Sequence, residues 1–388
     1  MKPTVQNPTL NPLKAGLYAF GLLLAAAAMP ALASTASNTT ITNTATVNFS
    51  DAGGVAQAAV TATSTVTVTL VPSALNISSP ANVPNLAQGT AADLVYTIIG
   101  TANGPDTYTL AAADTVSNLT GTGITFPGGN PITLAATTLA ANAAIGATTI
   151  TVPYDGNAST ATINGLVAGD VIMIGGNPYT IAAGGINKTG SVASNTAVVT
   201  LTSAIAGTAG TAGSVVPERL TVTVHVPSGS VTTGTSGTQT ITLSGTSTAD
   251  PTKTGTQGTP TVVTTVRPSL TVTKQVSVDG GVTFNATGNA PPGTSLVYKI
   301  TASNTGATAA TQVQFTDVVP LFLTYVPGTA KFAQAASTYA AATALTEGSG
   351  GYTFTAGTQT VNYNPGGAVG TVAATTGVLI LFFRATIN

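Results

Sequence analysis

The sequence predicts an all-β protein made of two related sheet-forming copies, the first interrupted by a smaller β-module. Three observations predict it. Apolar and polar residues alternate with a period of two through most of the chain, as half-buried pleated strands require. Helical periodicity is weak beyond the first residues, and Gly, Pro, Asn and Asp punctuate the chain at short intervals. One long pattern occurs twice, first from Val71 and again from Arg267. At 388 residues, two or three domains are expected.

The elements follow in order. Residues 1–33 read as a secretory signal: Lys2 and Lys14 give a basic start, Gly16–Met29 an apolar stretch, and Ala31-Leu32-Ala33 a small-residue cleavage pattern. No later segment is long and apolar enough to span a bilayer, so no stable membrane span is expected once the signal is removed. Residues 34–71 form a strand arm. Ile41, Ala45, Val47 and Phe49 fall on one face of its first strand, with Asn43 the exception, and threonines fill the other face. Val66, Val68 and Leu70 repeat the scheme in its second strand. Residues 72–136 and 219–267 make the first sandwich, whose Leu94–Leu110 stretch is matched by Leu296–Pro320 in the second copy. Residues 137–218 are extra material in the first copy: short strands around Gly-Asp and Gly-Gly turns suggest a compact β-barrel or β-roll. Residues 268–388 make the last sandwich and include the apolar strand Val378–Phe383.

The last copy carries Thr271-Val272-Thr273-Lys274, Val297-Tyr298-Lys299-Ile300-Thr301, Asn304-Thr305-Gly306, Thr316-Asp317 before Pro320, and Leu323-Thr324-Tyr325-Val326-Pro327-Gly328. In these residues it resembles the bacterial surface repeat called domain of unknown function eleven, well over 268–388 and loosely over 71–119. The resemblance implies immunoglobulin-like sandwiches in secreted or surface-attached arrays, with no enzyme activity. The expected fold class is thus all-β: tandem immunoglobulin-like β-sandwiches with an inserted small β-module. In that family the sandwich is typically followed by a strand reading like Ile-Thr-Asn-Thr-Ala-Thr-Val. Here that wording stands at Ile41–Val47, near the other end of the chain. A segment related to the arm recurs at Gln239–Ser269, just before the last sandwich.

Composition narrows the function. Cysteine is absent, so an exported chain must be stabilised by core burial, strand pairing or subunit contacts rather than disulfides. Without Lys2 and Lys14, eight basic residues stand against eleven acidic ones, a net charge near −3 that does not suit a nucleic-acid partner. Only 5% of residues are charged, which leaves few of the devices that blunt free sheet edges. His225 is the only histidine and alternates with Val222, Val224 and Val226 on a strand, so no zinc site or Ser-His-Asp triad is indicated. Asp106, Asp170 and Asp317 adjoin turn signals and are expected to cap their own backbone. No cofactor, metal or catalytic constellation is expected.

The candidate sites are therefore sites of assembly. The arm (Ile41, Ala45, Val47, Phe49, Val66, Val68, Leu70) is expected either to donate strands to the last sandwich of a neighbour or to pair within its own chain. The expected acceptor is Val378, Leu379, Ile380, Leu381, Phe382 and Phe383, whose continuous apolar run equally fits the central strand of a closed core. Lys274 is a candidate for an isopeptide bond with Asp317, Asn304 or Asn388, against the simpler reading of a solvated lysine on an edge strand. The functional expectation is a secreted structural subunit of an extracellular fibre or surface matrix, polymerising with itself. The alternative is a monomeric surface module that contacts glycans or other proteins through residues 137–218.

Overall fold

Runs of Thr, Val and Ile favour extended backbone, and the alternating pattern assigns each strand one face toward a core. The computed structural model describes residues 35–159 and 161–388. The signal expected at 1–33 lies outside them. Apart from one helical turn at Ser191–Ser194, the named elements among these residues are strands, as the sequence predicts.

The first two, β1 (Thr40–Val47) and β2 (Val60–Thr67), form an antiparallel ribbon. Ile41 lies opposite Val66, Ala45 opposite Ala62, and Val47 opposite Val60. Asp51 organises the far turn. Its Oδ1 accepts from the Gly53 and Val55 amides, and its Oδ2 accepts from Gln57 Nε2.

The chain then enters the first sandwich through β3 (Asn76–Ser78), β4 (Val83–Ala87), β5 (Ala91–Ile99), β6 (Asp106–Ser117) and β7 (Ile132–Leu134). It leaves to build a four-stranded antiparallel sheet from β8 (Thr149–Pro153), β9 (Val171–Ile174), β10 (Asn177–Asn187) and β11 (Thr196–Leu201), in the order β8-β11-β10-β9. This module has its own apolar cluster, including Leu139, Ile150, Val152, Ile172, Ile181, Val199 and Val216. The chain returns to the sandwich as β12 (Arg219–Pro227), β13 (Ser236–Ser247) and β14 (Thr261–Val266).

One sheet of this sandwich has the order β12-β5-β3 and the other β4-β14-β13-β6-β7, with Thr254–Thr256 paired to β13. Tyr96 and Val224 from one sheet meet Tyr108, Ile241, Leu243 and Val263 from the other in a single buried cluster. β13 and β14 close this sandwich: β13 pairs with β6, and Leu75 and Ile77 are each only 5% exposed. The approach is close. A Cβ at Gly255 would lie 2.0 Å from the Leu75 carbonyl oxygen, so a side chain there would push β3 off the sheet.

The last sandwich repeats part of this plan with β15 (Leu270–Ser277), β16 (Ser295–Asn304), β17 (Phe315–Val318), β18 (Leu323–Tyr325), β19 (Lys331–Ala333), β20 (Tyr352–Thr355), β21 (Thr360–Tyr363) and β22 (Val378–Ile387). One sheet runs β15-β16-β22-β19, with β18 also pairing β22, and the other runs β17-β21-β20. The triplet β15-β16-β22 corresponds to β3-β5-β12 of the first sandwich.

The expected acceptor strand requires correction. Val378, Leu379, Ile380, Leu381, Phe382 and Phe383 lie in β22, which pairs with β16 along one edge and with β18 and β19 along the other. Both sets of main-chain groups are satisfied, so the run offers nothing to an incoming strand. Its unbroken apolar character has another cause. Leu379, Leu381 and Phe383 face the inter-sheet core, whereas Ile380 and Phe382 face a second cluster with Val297, Tyr339 and Phe284.

Candidate functional site

The ribbon presents two unlike faces. The pairs Thr40–Thr67, Thr42–Thr65, Thr44–Thr63 and Thr46–Thr61 line one, with the Thr44 and Thr63 hydroxyls 3.2 Å apart. Ile41, Ala45 and Val47 line the other with Val66, Ala62 and Val60, interrupted by Asn43 opposite Ser64. Every residue of β1 and β2 is exposed. Ile41 is 51% and Val66 63% exposed, and Phe49 beyond the strand end is also exposed. The ribbon pairs with neither sandwich. Val68 and Leu70, also expected to face inward, lie at its half-buried base.

That base is fastened by one side-chain amide. Asn103 Oδ1 accepts from the Val71 amide at 2.7 Å, while its Nδ2 donates to the carbonyls of Thr35 and Thr69. The Ser37 amide donates to the Asn103 carbonyl at 2.9 Å, and Ala36 is buried beside it. Both legs of the ribbon are thus held to the first sandwich, and the strands project from it.

An open edge exists in the last sandwich, away from the expected place. β17 pairs with β21 on one side, and among the described residues no strand pairs with its other side. Opposite lies β15, which pairs with β16 and, on its other edge, only at Val276, whose amide and carbonyl bond Asn285. Leu270, Val272, Lys274 and Val276 of β15 alternate on the face that carries Tyr298, Ile300 and Ala302 of β16, the core side. Yet Val272 is 66% exposed and Leu270 43%. The free edge of β17 and the part of β15 before Val276 flank a cleft whose floor is apolar and exposed. Loss of an apolar contact surface to water is costly, and main-chain groups along β17 remain free for pairing.

Lys274 bridges this cleft. Its Nζ lies 2.7 Å from Asp317 Oδ1 of β17 and 5.0 Å from the Tyr298 ring centre. The Asp317 side chain is 11% exposed, and its Oδ2 is buried without a hydrogen-bond partner. Burial, and secondarily the Asp317 charge, raise the Tyr298 phenol above its usual value.

Of the isopeptide candidates, Lys274 and Asp317 are brought together. Asn388 is not: its Oδ1 accepts from Thr324 Oγ1 at 2.6 Å. Asn304 is 1% exposed and committed to its loop, donating to the carbonyls of Thr308, Val372 and Ala373 and accepting from the Ser269 and Gly306 amides. Asp317 and Asp106 are therefore not the turn caps the sequence suggested. Asp106 is buried and accepts from Ser247 Oγ at 2.8 Å. Asp170 does cap its turn, accepting from the Val167 amide. His225 sits at the surface of β12 with its Nδ1 2.7 Å from Asp93.

Sequence reasoning missed three features: the Asn103 fastening, the exposed Leu270 and Val272, and Glu218. Glu218 marks the join of the inserted module. Its Oε2 accepts from the Ala135 amide and its own amide donates to the Ala135 carbonyl, each at 2.8 Å. Burial, offset in part by the Ala135 hydrogen bond, raises its carboxyl to about 7. A comparison of the two copies was the signal available for Val272, because its counterpart Leu75 is buried. No local pattern signals Asn103 or Glu218.

Among the described residues no cluster of His, Cys, Asp and Glu is disposed to hold a metal, and no helix is long and apolar enough to cross a membrane. No protein-family profile matches the chain, and no curated protein matches it. Among solved structures, a Corynebacterium diphtheriae protein described as membrane anchored aligns at 12% identity. The alignment covers 90% of this chain and 88% of that one with a TM-score of 0.21, too low to carry an argument about this protein.

Proposed function

We propose that this protein is a secreted structural subunit that polymerises head-to-tail, without catalysis. The ribbon β1–β2 of one subunit occupies the cleft between β15 and β17 in the last sandwich of the next. The supporting observation is internal to the chain. In the first sandwich, β6 is paired by β13, and β13–β14 cover Leu75 and Ile77. In the last sandwich, β17 holds the place of β6 and lacks such a partner, while Val272 is left bare. The segment most like β13–β14 is the ribbon. Thr240-Ile241-Thr242 is repeated as Thr40-Ile41-Thr42, and Ile41, Ala45 and Val47 match the buried positions Ile241, Gly245 and Ser247.

Main-chain pairing along β17 would supply the bonds common to any added strand, and the alternating side chains would supply the fit. The exposed large apolar residues Ile41, Val47, Phe49 and Val66 would contribute on the order of 5 kcal/mol before ordering costs, since about half of the roughly 1.5–3 kcal/mol for burying each remains to be gained. The leader expected at 1–33, the lack of cysteine and the scarcity of charge accord with an exported assembly.

Deletion of Ser34–Leu70 tests the reading. The shortened protein is expected to fold and remain monomeric at concentrations where the full chain forms chains visible by electron microscopy. Normal polymers from the deletion variant would refute strand donation. A full-length protein that stays monomeric at every concentration would favour a solitary surface module.

A further inference from the structure

At one core-facing position on each side of the proposed contact an apolar residue of the first copy is replaced by a polar one, and the two replacements match. In the first sandwich, Ile98 of β5 pairs with Ile77 of β3; in the last, Ile300 of β16 pairs with Lys274 of β15. Both isoleucines follow a Leu-Val-Tyr sequence by two residues, so Lys274 stands where Ile77 does. In the closing strand, Thr240-Ile241-Thr242 is followed by Leu243; in the ribbon, Thr40-Ile41-Thr42 is followed by Asn43. Ile77 and Leu243 share one buried apolar cluster. An apolar residue has become polar at both corresponding places.

The chemistry of the polar pair is complementary. Lys274 carries three donor hydrogens and is joined to a single carboxylate oxygen. Asp317 Oδ2 is buried with no donor. A carboxamide offers one acceptor and two donor hydrogens, enough to serve both ends of the ion pair. Asn43 is the one amide on the ribbon's apolar face. The closed copy holds an amide–carboxylate contact between the same two strands, two residues to the other side of the shared isoleucine: Gln239 Nε2 of β13 donates to Asp114 Oδ2 of β6 at 2.8 Å, and Asp114 pairs with Ile241. Asp114, in Ala-Asp-Thr-Val, stands where Asp317 stands in Thr-Asp-Val-Val.

We infer that Asn43 of the donating subunit binds the Lys274–Asp317 pair of the accepting one and thereby sets the register of the inserted strand. This rests on the strand-donation reading and adds its specificity. A ribbon of threonines and small apolar residues can slide by two positions with little penalty, because the same face stays inward. A single polar contact in an apolar groove removes that freedom, since any other register buries the ion pair without its amide.

The test uses the full-length secreted protein and its concentration-dependent assembly, measured by sedimentation velocity. Asn43→Leu is expected to weaken association about tenfold, near the low end for leaving a buried charged group short of a partner. Adding Lys274→Ile together with Asp317→Asn, which recreates the Leu243–Ile77 combination and leaves no unpaired carboxylate under the strand, is expected to restore association to within about threefold of the unaltered protein. Unchanged assembly of Asn43→Leu, or a triple variant no better than the single, overturns the inference. Thermal unfolding of the Lys274→Ile, Asp317→Asn protein checks that the last sandwich is intact; if it is not, Lys274→Met replaces Lys274→Ile. The deletion of Ser34–Leu70 separates the two levels: if that deletion abolishes assembly while Asn43→Leu does not affect it, only the register role falls.

Discussion

If the ribbon assembles through its apolar face, damage to that face should disable polymerisation while leaving the subunit's own stability untouched. The double substitution Ile41→Thr and Val66→Thr isolates this. Both replacements are β-branched, so strand propensity is kept. The two residues are cross-strand partners and are 51% and 63% exposed, so neither supports the subunit's own core. Full burial of such a side chain is worth about 1.5–3 kcal/mol, and roughly half of that remains to be gained on docking. The pair therefore accounts for about 2–3 kcal/mol of association, before the cost of burying two hydroxyls. At about 1.4 kcal/mol per tenfold, the assembly midpoint should rise by roughly 30- to 150-fold. The control is Thr42→Val with Thr65→Val, the neighbouring pair on the opposite face. Its assembly should not weaken. A concentration series by sedimentation velocity reads both, and circular dichroism confirms an unchanged melting temperature. Equal assembly by the Ile41/Val66 variant and the unaltered protein would refute the argument, whatever the control does.

Two further predictions follow. Leu75→Ala should destabilise the first sandwich by about 2–5 kcal/mol in denaturant titration, as expected for a buried leucine; Val272→Ala, at the matching exposed position, should change subunit stability by less than about 0.5 kcal/mol yet weaken polymerisation. Because burial raises the Glu218 carboxyl from 4.5 to about 7, the folded state holds a proton that the unfolded state has released between those pH values. Stability should therefore fall as pH rises from about 4.5 to about 7 and level off above. Glu218→Gln keeps an acceptor for the Ala135 amide and should remove that slope, gaining about 1–2 kcal/mol at pH 8 once solvent access to the half-buried group is allowed for. A slope that persists in Glu218→Gln would assign it to another group.

Much of the fold was legible in the residues because side-chain alternation reports directly which face of a strand is covered. The ribbon's two faces, the insertion at residues 137–218, and the correspondence of Leu94–Tyr96 with Leu296–Tyr298 could all be read that way. The same signal misdirected the acceptor. Six apolar residues at Val378–Phe383 do mean two covered faces, with Leu381 on one and Ile380 on the other. Faces are a property of side chains, however, and edges are a property of the main chain. Nothing in Leu-Ile-Leu reveals that β16, β18 and β19 already occupy its hydrogen-bonding groups. The open edge at Phe315–Val318 was hidden for the converse reason. Thr316, Asp317 and an exposed Val318 read as an ordinary surface strand, and only the paired state of β6 exposes what β17 lacks. Asn103 escaped notice because its role depends on backbone groups at Thr35, Thr69 and Val71, remote in sequence and featureless in composition.

The double hydrogen bond between Ala135 and Glu218 has a consequence for what such a chain can display. The polypeptide departs and returns at a single doorway, so the intervening eighty-odd residues hang from the sandwich as a pendant rather than running through it. A pendant with its own apolar interior can be shortened, lengthened or exchanged while the spacing of its support is preserved. Repeated along a polymer, that doorway would turn a plain cable into a rack with one hook per subunit, its pitch decided by the sandwiches and its cargo by whatever hangs between residues 135 and 218.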